Sequence, residues 1–146
     1  MDGLKVARMM GPRVKGVVTL KRELDDIFSK WVRLEAADSS GLVRCVTCGS
    51  VHDWQNLDNG HFIKRQWTLI RWEPKNCHPQ CRNCNWHKQG NDAEYEKYII
   101  NKYGEAVLNW LRANAKKKKW TRFELEMLIN HYKPLVKKLK RRIGCK

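Results

Sequence analysis

The chain has no run of about eighteen apolar residues, which excludes a transmembrane helix. Its first residues, MDGLKVARMMGPRVKGVV, lack a continuous apolar segment followed by a small-residue cleavage site, so no secretory leader is expected and the chain reads as cytoplasmic. Acidic residues are scarce. Fifteen Asp plus Glu stand against thirty Lys plus Arg, a formal net charge of +15 over 146 residues. A surplus of that size raises the potential around the whole surface and favours a polyanionic partner. The basic segments also lack a wide uninterrupted apolar face, which argues against a membrane surface as that partner. There is no internal repeat. What is present is aromatic and sulfur-bearing: seven tryptophans argue against general disorder, and six cysteines in a reducing compartment read as metal ligands or free thiols rather than disulfides.

The length suits one domain with a modest core. Residues 1–18 are basic and Gly/Pro-punctuated and read as a mobile arm. Residues 19–40 hold an N-terminal helix: Leu20, Leu24, Ile27, Trp31 and Leu34 recur at 4-3-4-3 spacing, Thr19 is available as N-cap, and Asp38–Gly41 ends the helix. Residues 41–91 are rich in Cys, His, Asn and Trp and suit short strands and metal-pinned turns. Residues 92–146 read as C-terminal helices with a basic tail. Asn91 and Glu94 offer an N-cap and capping box, Gly104 breaks that helix from another over about 105–115, and Lys116–Lys119 reads as a solvated hinge or a phosphate contact. Thr121 and Glu124 form a second capping box. A helix of about twenty residues follows, with Leu125, Leu128, Tyr132, Leu135 and Leu139 on one stripe and Pro134 expected to kink or divide it.

Cys45-Val-Thr-Cys48 and Cys81-Arg-Asn-Cys84 are two C-x-x-C pairs separated by 32 residues. Each brings two thiolates together, and the two pairs complete a tetrahedral structural zinc site. Cys77 and Cys145 fall outside the spacing and read as free thiols. Between and just after the pairs lie Asp58-Asn59-Gly60-His61, Asn76-Cys77-His78-Pro79-Gln80 and Asn85-Trp86-His87-Lys88.

On these residues the chain resembles the HNH, or ββα-metal, nucleases, in which a His on a first strand is followed by an Asn in a loop and a His or Asn at a helix start. His61, Asn76 and Asn85 occupy those places in order, and the layout also resembles phage resolvases of the endonuclease VII type. A more extensive resemblance, over roughly residues 20–140, is to the NinG or Rap phage recombination endonucleases. It rests on Cys45 to Gly49, Asp58 to His61, Arg71, Asn76, His78, Gln80, Cys81, Cys84, Asn85, His87, Lys88, Gly90 and Asn91, and Trp120 to Glu124. The resemblance implies an α+β fold, mainly helical, around a zinc-stapled ββα-metal core. It further implies an endonuclease that cuts branched recombination intermediates, D-loops and Holliday junctions, leaving 5′-phosphate and 3′-hydroxyl ends. A phage-encoded protein would work in the host cytoplasm, with phage recombination proteins as candidate partners.

Under that resemblance His61 is the general base, Asn76 holds His61 or its loop, and Asn85 binds one Mg²⁺ or Mn²⁺ through its amide oxygen. Family members commonly carry an acidic or His ligand where this chain has Gly60. Asp58, on the same strand face, is the candidate replacement, with His78 and His87 as rivals. Lys88, Arg71, Lys64 and Arg65 are the candidate phosphate contacts, with further charge from the arm, Lys116–Lys119 and Lys137–Arg142. Trp67, Trp72 or Trp86 could stack on unpaired bases or simply be core. A homodimer would suit two-strand cutting, and the amphipathic helices could serve it or cover each other. Two other readings stay open: a non-catalytic zinc module that binds DNA, kept alive by Gly60, and a sequence-specific nuclease acting on linear duplex.

Overall fold

The computed structural model describes residues 11–145. Residues 1–10 of the expected arm, and Lys146, lie outside the described residues. The described residues are α+β, with four α-helices, one turn of π-helix, three short 3-10 turns and two small antiparallel sheets. Helix α1 (Val17–Glu35) opens two residues earlier than expected. Gly16 is its N-cap and the Leu20 N–H closes the first turn on Gly16 O at 3.0 Å, so Thr19 sits inside the helix rather than capping it. Residues 11–16 are exposed and non-regular, as an arm would be, and Lys15 pairs with Glu23 at 2.7 Å. Leu20, Leu24, Ile27 and Leu34 are buried as their spacing predicts. Phe28 and Val32 join them, and Trp31 is only partly covered.

Strands β1 (Leu42–Arg44) and β2 (Val51–Asp53) form one hairpin. Strands β3 (Asp58–His61) and β4 (Cys77–Gln80) pair as the second sheet, with Asp58 opposite Gln80, Gly60 opposite His78 and His61 opposite Cys77. One turn of π-helix (Asn83–His87) follows, then α2 (Asp92–Tyr103) and α3 (Glu105–Ala113), separated at Gly104 with φ +89°. The expected capping box at α2 does not form. Asn91 takes a left-handed conformation, φ 50°, and turns its amide to the Cys84 sulfur at 3.5 Å, while Glu94 pairs with Lys97.

Helix α4 (Arg122–Arg142) begins with the Thr121–Glu124 capping box: Glu124 N–H donates to the Thr121 hydroxyl at 3.2 Å and Thr121 N–H to the Glu124 carboxylate at 2.9 Å. Pro134 does not divide it. Pro134 and Asn130, whose carbonyl loses its donor, are both exposed, so solvent replaces the missing bond. The Lys116–Lys119 segment is no free hinge. Thr68 Oγ1 donates to the Lys118 carbonyl at 2.8 Å, Trp120 Nε1 donates to Thr68 O at 2.8 Å, and Lys118 pairs with Glu124.

The buried apolar side chains form two clusters. The larger joins α1, α4, Val43, Trp54, Leu57, Trp72 and the cysteine segment; Phe28 meets Tyr132 edge-on at 5.0 Å. The smaller packs Phe62 and Ile70 against Tyr95, Ile99, Leu108 and Leu111. The apolar stripes of α1 and α4 therefore cover each other. Truncating Phe28 to Ala, which is fully buried at that junction, is expected to lower stability by about 3–5 kcal/mol, read from denaturant unfolding at constant m-value.

Candidate functional site

The first cysteine pair lies in the β1–β2 turn, closed by Gly49 at φ +77° with its N–H on Cys45 O at 2.9 Å. The second follows β4, where Cys81 leads into the π turn and Asn85 N–H bonds Cys81 O at 2.9 Å. Thus two separated sheets deliver one pair each. The four sulfurs lie within 4.8 Å of one another, and Cys48 and Cys81 are 3.7 Å apart. A tetrahedron with metal–sulfur bonds of about 2.3 Å needs sulfurs roughly 3.8 Å apart, so the donor set fits structural zinc.

Hydrogen bonds around the sulfurs favour that charge. The Thr47 hydroxyl lies 3.4 Å from Cys45 Sγ, and Ser50 lies 3.0 Å from Cys48 Sγ. Burial opposes ionisation of Cys45, yet the Thr47 hydroxyl and three backbone N–H groups outweigh it and hold this thiol at about 6. Cys84 is pushed up to about 11 by burial, so the cluster becomes fully ionised at neutral pH only with a cation among the sulfurs. Gln80 Nε2 donates to Thr47 Oγ1 and to Gly90 O, which ties the cysteine cluster to the end of the second sheet.

Beside the cluster runs an open cleft of about 820 Å³ between α1, β3, the loop after β3 and the π turn. Asp58, Asn59 and His61 of β3 line it, together with Asn85 and Trp86. Strict strand alternation puts Asp58 and His61 on opposite faces, yet both line the cleft, and among the described residues β3 pairs with β4 alone. Arg22, Arg33, Lys64, Arg65 and Arg82 supply five cations along it, against Asp25, Asp26 and Asp58.

His61 Nε2 lies 2.8 Å from the Arg71 carbonyl. A carbonyl only accepts, so Nε2 carries the proton and Nδ1 keeps its lone pair. Burial pulls the His61 pKa below 6.5, helped by Arg65 and Arg71, against the opposing influence of the Arg71 carbonyl and Asp25. The imidazole is therefore neutral at pH 7. The Asn76 side chain makes its hydrogen bonds to the loop rather than to the imidazole. Fully buried, it accepts from Ile63 N–H at 2.7 Å and donates to Ile63 O and Ile70 O at 2.9 and 3.2 Å, pinning the loop from 62 to 76 that carries Arg71.

Asp58 accepts two hydrogen bonds on Oδ2, from Asn85 Nδ2 at 3.2 Å and Trp86 Nε1 at 2.9 Å, with Arg82 4.0 Å from Oδ1. The rivals fall away. His78 is buried outside the cleft between two tyrosines: Tyr103 O–H donates to Nε2 at 2.8 Å, Nδ1–H donates to Tyr95 at 2.9 Å, and Tyr95 O–H donates to Gly60 O at 2.7 Å. With both nitrogens engaged and burial pushing its pKa down to about 3, His78 is a structural neutral histidine. His87 and Lys88 are exposed beyond the cleft lining. Gly60 has its own cause. A Cβ there would stand 2.1 Å from Oε1 and 2.7 Å from Cγ of Gln80, which is fully buried.

Of the candidate phosphate contacts, Lys64 and Arg65 line the cleft, held by Asp92 and Asp25 at 2.9 and 3.0 Å. Arg71 is spent on Asp25, to which its Nε donates at 3.0 Å and its Nη2 also donates. Trp72 donates to the same carboxylate at 2.9 Å and packs edge-on against Trp120, so it is core. Trp67 is half-buried and outside the cleft, which leaves Trp86. Asp25 was not foreseen from sequence. It receives Arg65, Arg71 and Trp72, and so anchors the loop whose Arg71 carbonyl sets the His61 tautomer. The signal was an acidic residue beside the apolar stripe of α1, invisible without knowing what packs there. Arg22 and Arg33 were missed for the same reason.

A family model described as Bacteriophage Lambda NinG protein matches residues 5–142. Among curated relatives, "Protein ninG" of Escherichia phage 933W and of Salmonella phage P22 are each 30% identical over 120 residues, covering 77% of this chain and 59% of the relative. "Protein ninG" of Escherichia phage lambda is 29% identical over 120 residues, covering 77% and 58%. The chain thus spans less than two thirds of the length of these relatives. No solved structure matches it.

Elemental analysis is expected to find one zinc per chain, and Cys45→Ser to lose it. Stripping the metal should lower the thermal midpoint by roughly 10 °C or more, because two-stranded sheets are marginal without a cross-link between them.

Proposed function

Because the chain belongs to the NinG family, whose model spans residues 5–142, we propose that it is a metal-dependent, structure-selective DNA endonuclease with His61 as its general base. The observation that carries this reading is the His61 imidazole, neutral, with Nε2–H fixed on the Arg71 carbonyl and Nδ1 free in a cationic cleft that also holds Asp58 and Asn85. Asp58 and His61 stand on an antiparallel strand pair and Asn85 on the helical turn that follows it, which supports reading the segment as a zinc-stapled HNH core.

Backbone hydrolysis needs a water deprotonated opposite a departing oxygen. His61 Nδ1 takes the water proton while Nε2–H stays on Arg71 O, so the ring keeps its orientation through the transfer. Asp25 lies near enough to favour the imidazolium that results. Lys64 and Arg65 hold phosphate oxygens beside the ring without reading bases, so binding follows DNA shape and weakens steeply with salt. Asp58 and Asn85 are neighbours, Asn85 Nδ2 donating to Asp58 Oδ2, and with that amide turned over the carboxylate and the amide oxygen would be hard donors suited to an ion of the magnesium class that keeps several waters. Such an ion would supply charge neutralisation at the leaving oxygen. In this reading Asp58 does what the side chain missing at Gly60 does elsewhere. Branched recombination intermediates are the proposed substrates.

His61→Ala is expected to lower cleavage of a four-way junction or D-loop at least roughly 100-fold in Mg²⁺ or Mn²⁺ with DNA affinity unchanged. Since His61 acts as the neutral base and its pKa is depressed, cleavage should rise with pH along an acid limb lying below 6.5 and be level by pH 7. Wild-type protein that binds DNA but cuts neither branched nor linear duplex with either metal would instead favour the non-catalytic zinc module; cutting of linear duplex at one motif would favour a sequence-specific nuclease.

A further inference from the structure

Trp86 is 70% exposed, the most solvent-facing of the seven tryptophans, and it stands at the rim of the cleft next to Asn85. Its orientation is set rather than free. The indole N–H donates to Asp58 Oδ2 at 2.9 Å, and the residue sits in the π turn fastened to the cysteine cluster by Cys84. Because its one polar atom is already satisfied, what it offers a partner is the flat aromatic face. That face borders a groove with five cationic side chains, and Arg82, with its side chain 79% exposed, comes from the same short segment.

We propose that Trp86 is a stacking subsite for an unpaired nucleobase, and that through it the cleft selects strands leaving a branch. The inference rests on the nuclease reading only for what happens next to that base; the binding step stands apart. In a continuous duplex both faces of each base are covered by their neighbours, so an indole gains nothing there. A base without a partner has a face to offer, and stacking is worth roughly 5- to 150-fold in affinity per base while tolerating any sequence. A satisfied indole N–H cannot read base edges, which keeps the subsite sequence-neutral. The surrounding cations place the phosphates on both sides of that base in the groove.

The test is binding of the full chain without added divalent metal, so that no cleavage intervenes. Forked DNA carrying 2-aminopurine at its first unpaired position is compared with the fully paired duplex of the same sequence. Wild type should alter the 2-aminopurine emission of the fork and bind it more tightly than the duplex. Trp86→Ala should lose the spectral change and weaken fork binding roughly 5- to 150-fold, with duplex affinity within about two-fold; Trp86→Phe should recover part of both. Zinc content and thermal midpoint of each variant verify the fold. Equal loss on fork and duplex, no loss on either, or a wild type without preference for the fork would overturn the subsite. Cleavage in Mg²⁺ is scored separately: a Trp86-dependent fork preference without cutting sinks the nuclease reading alone, and cutting without that preference sinks the subsite alone.

Discussion

The convergence of four sulfurs is the constraint from which the middle of this protein takes its shape. Two sheets of two strands each are too small to hold themselves, since a lone hairpin is marginal in water. Their cysteines tie the β1–β2 turn to the end of β4, and the Gln80–Thr47–Cys45 chain of hydrogen bonds carries that tie into the β3–β4 pair. His61, Asp58, Asn85 and Trp86, which line the cleft from this segment, take their positions from that convergence.

Helix α1 contributes the complementary half. Asp25 gathers Arg65, Arg71 and Trp72 on one carboxylate, and Asn76 pins the same loop from inside. The two anchors hold a peptide carbonyl in front of an imidazole, which decides which ring nitrogen is free. On the remaining side, the Tyr103–His78–Tyr95 chain ends on the carbonyl of Gly60, immediately before His61 in the strand. A polar network of this kind is stable because each donor in it meets an acceptor, and it gives the strand one permitted position.

Local spacing carried much of this in readable form. The paired C-x-x-C steps, the stripe of α1, the Thr121–Glu124 cap and the ordered string of Asp58, His61 and Asn85 are all short-range patterns. Long-range pairing was not readable. Arg71 looked like a phosphate contact because nothing near it in sequence shows that Asp25, 46 positions away, takes its charge. His78 looked like a ligand because its tyrosine partners lie on α2. Asn91 looked like a cap, but its proximity to the Cys84 sulfur turned it another way. Each misreading placed a polar side chain by its sequence neighbours when a partner across the fold decided it.

Helices α1 and α4 bury their apolar stripes against each other although about a hundred residues separate Phe28 from Tyr132. At translation speeds of about 5–20 residues per second, the first stripe waits on the order of ten seconds for its cover. During synthesis the apolar stripe of α1 therefore stays without its native cover until α4 has emerged, and an isolated helix of that length is marginal in water.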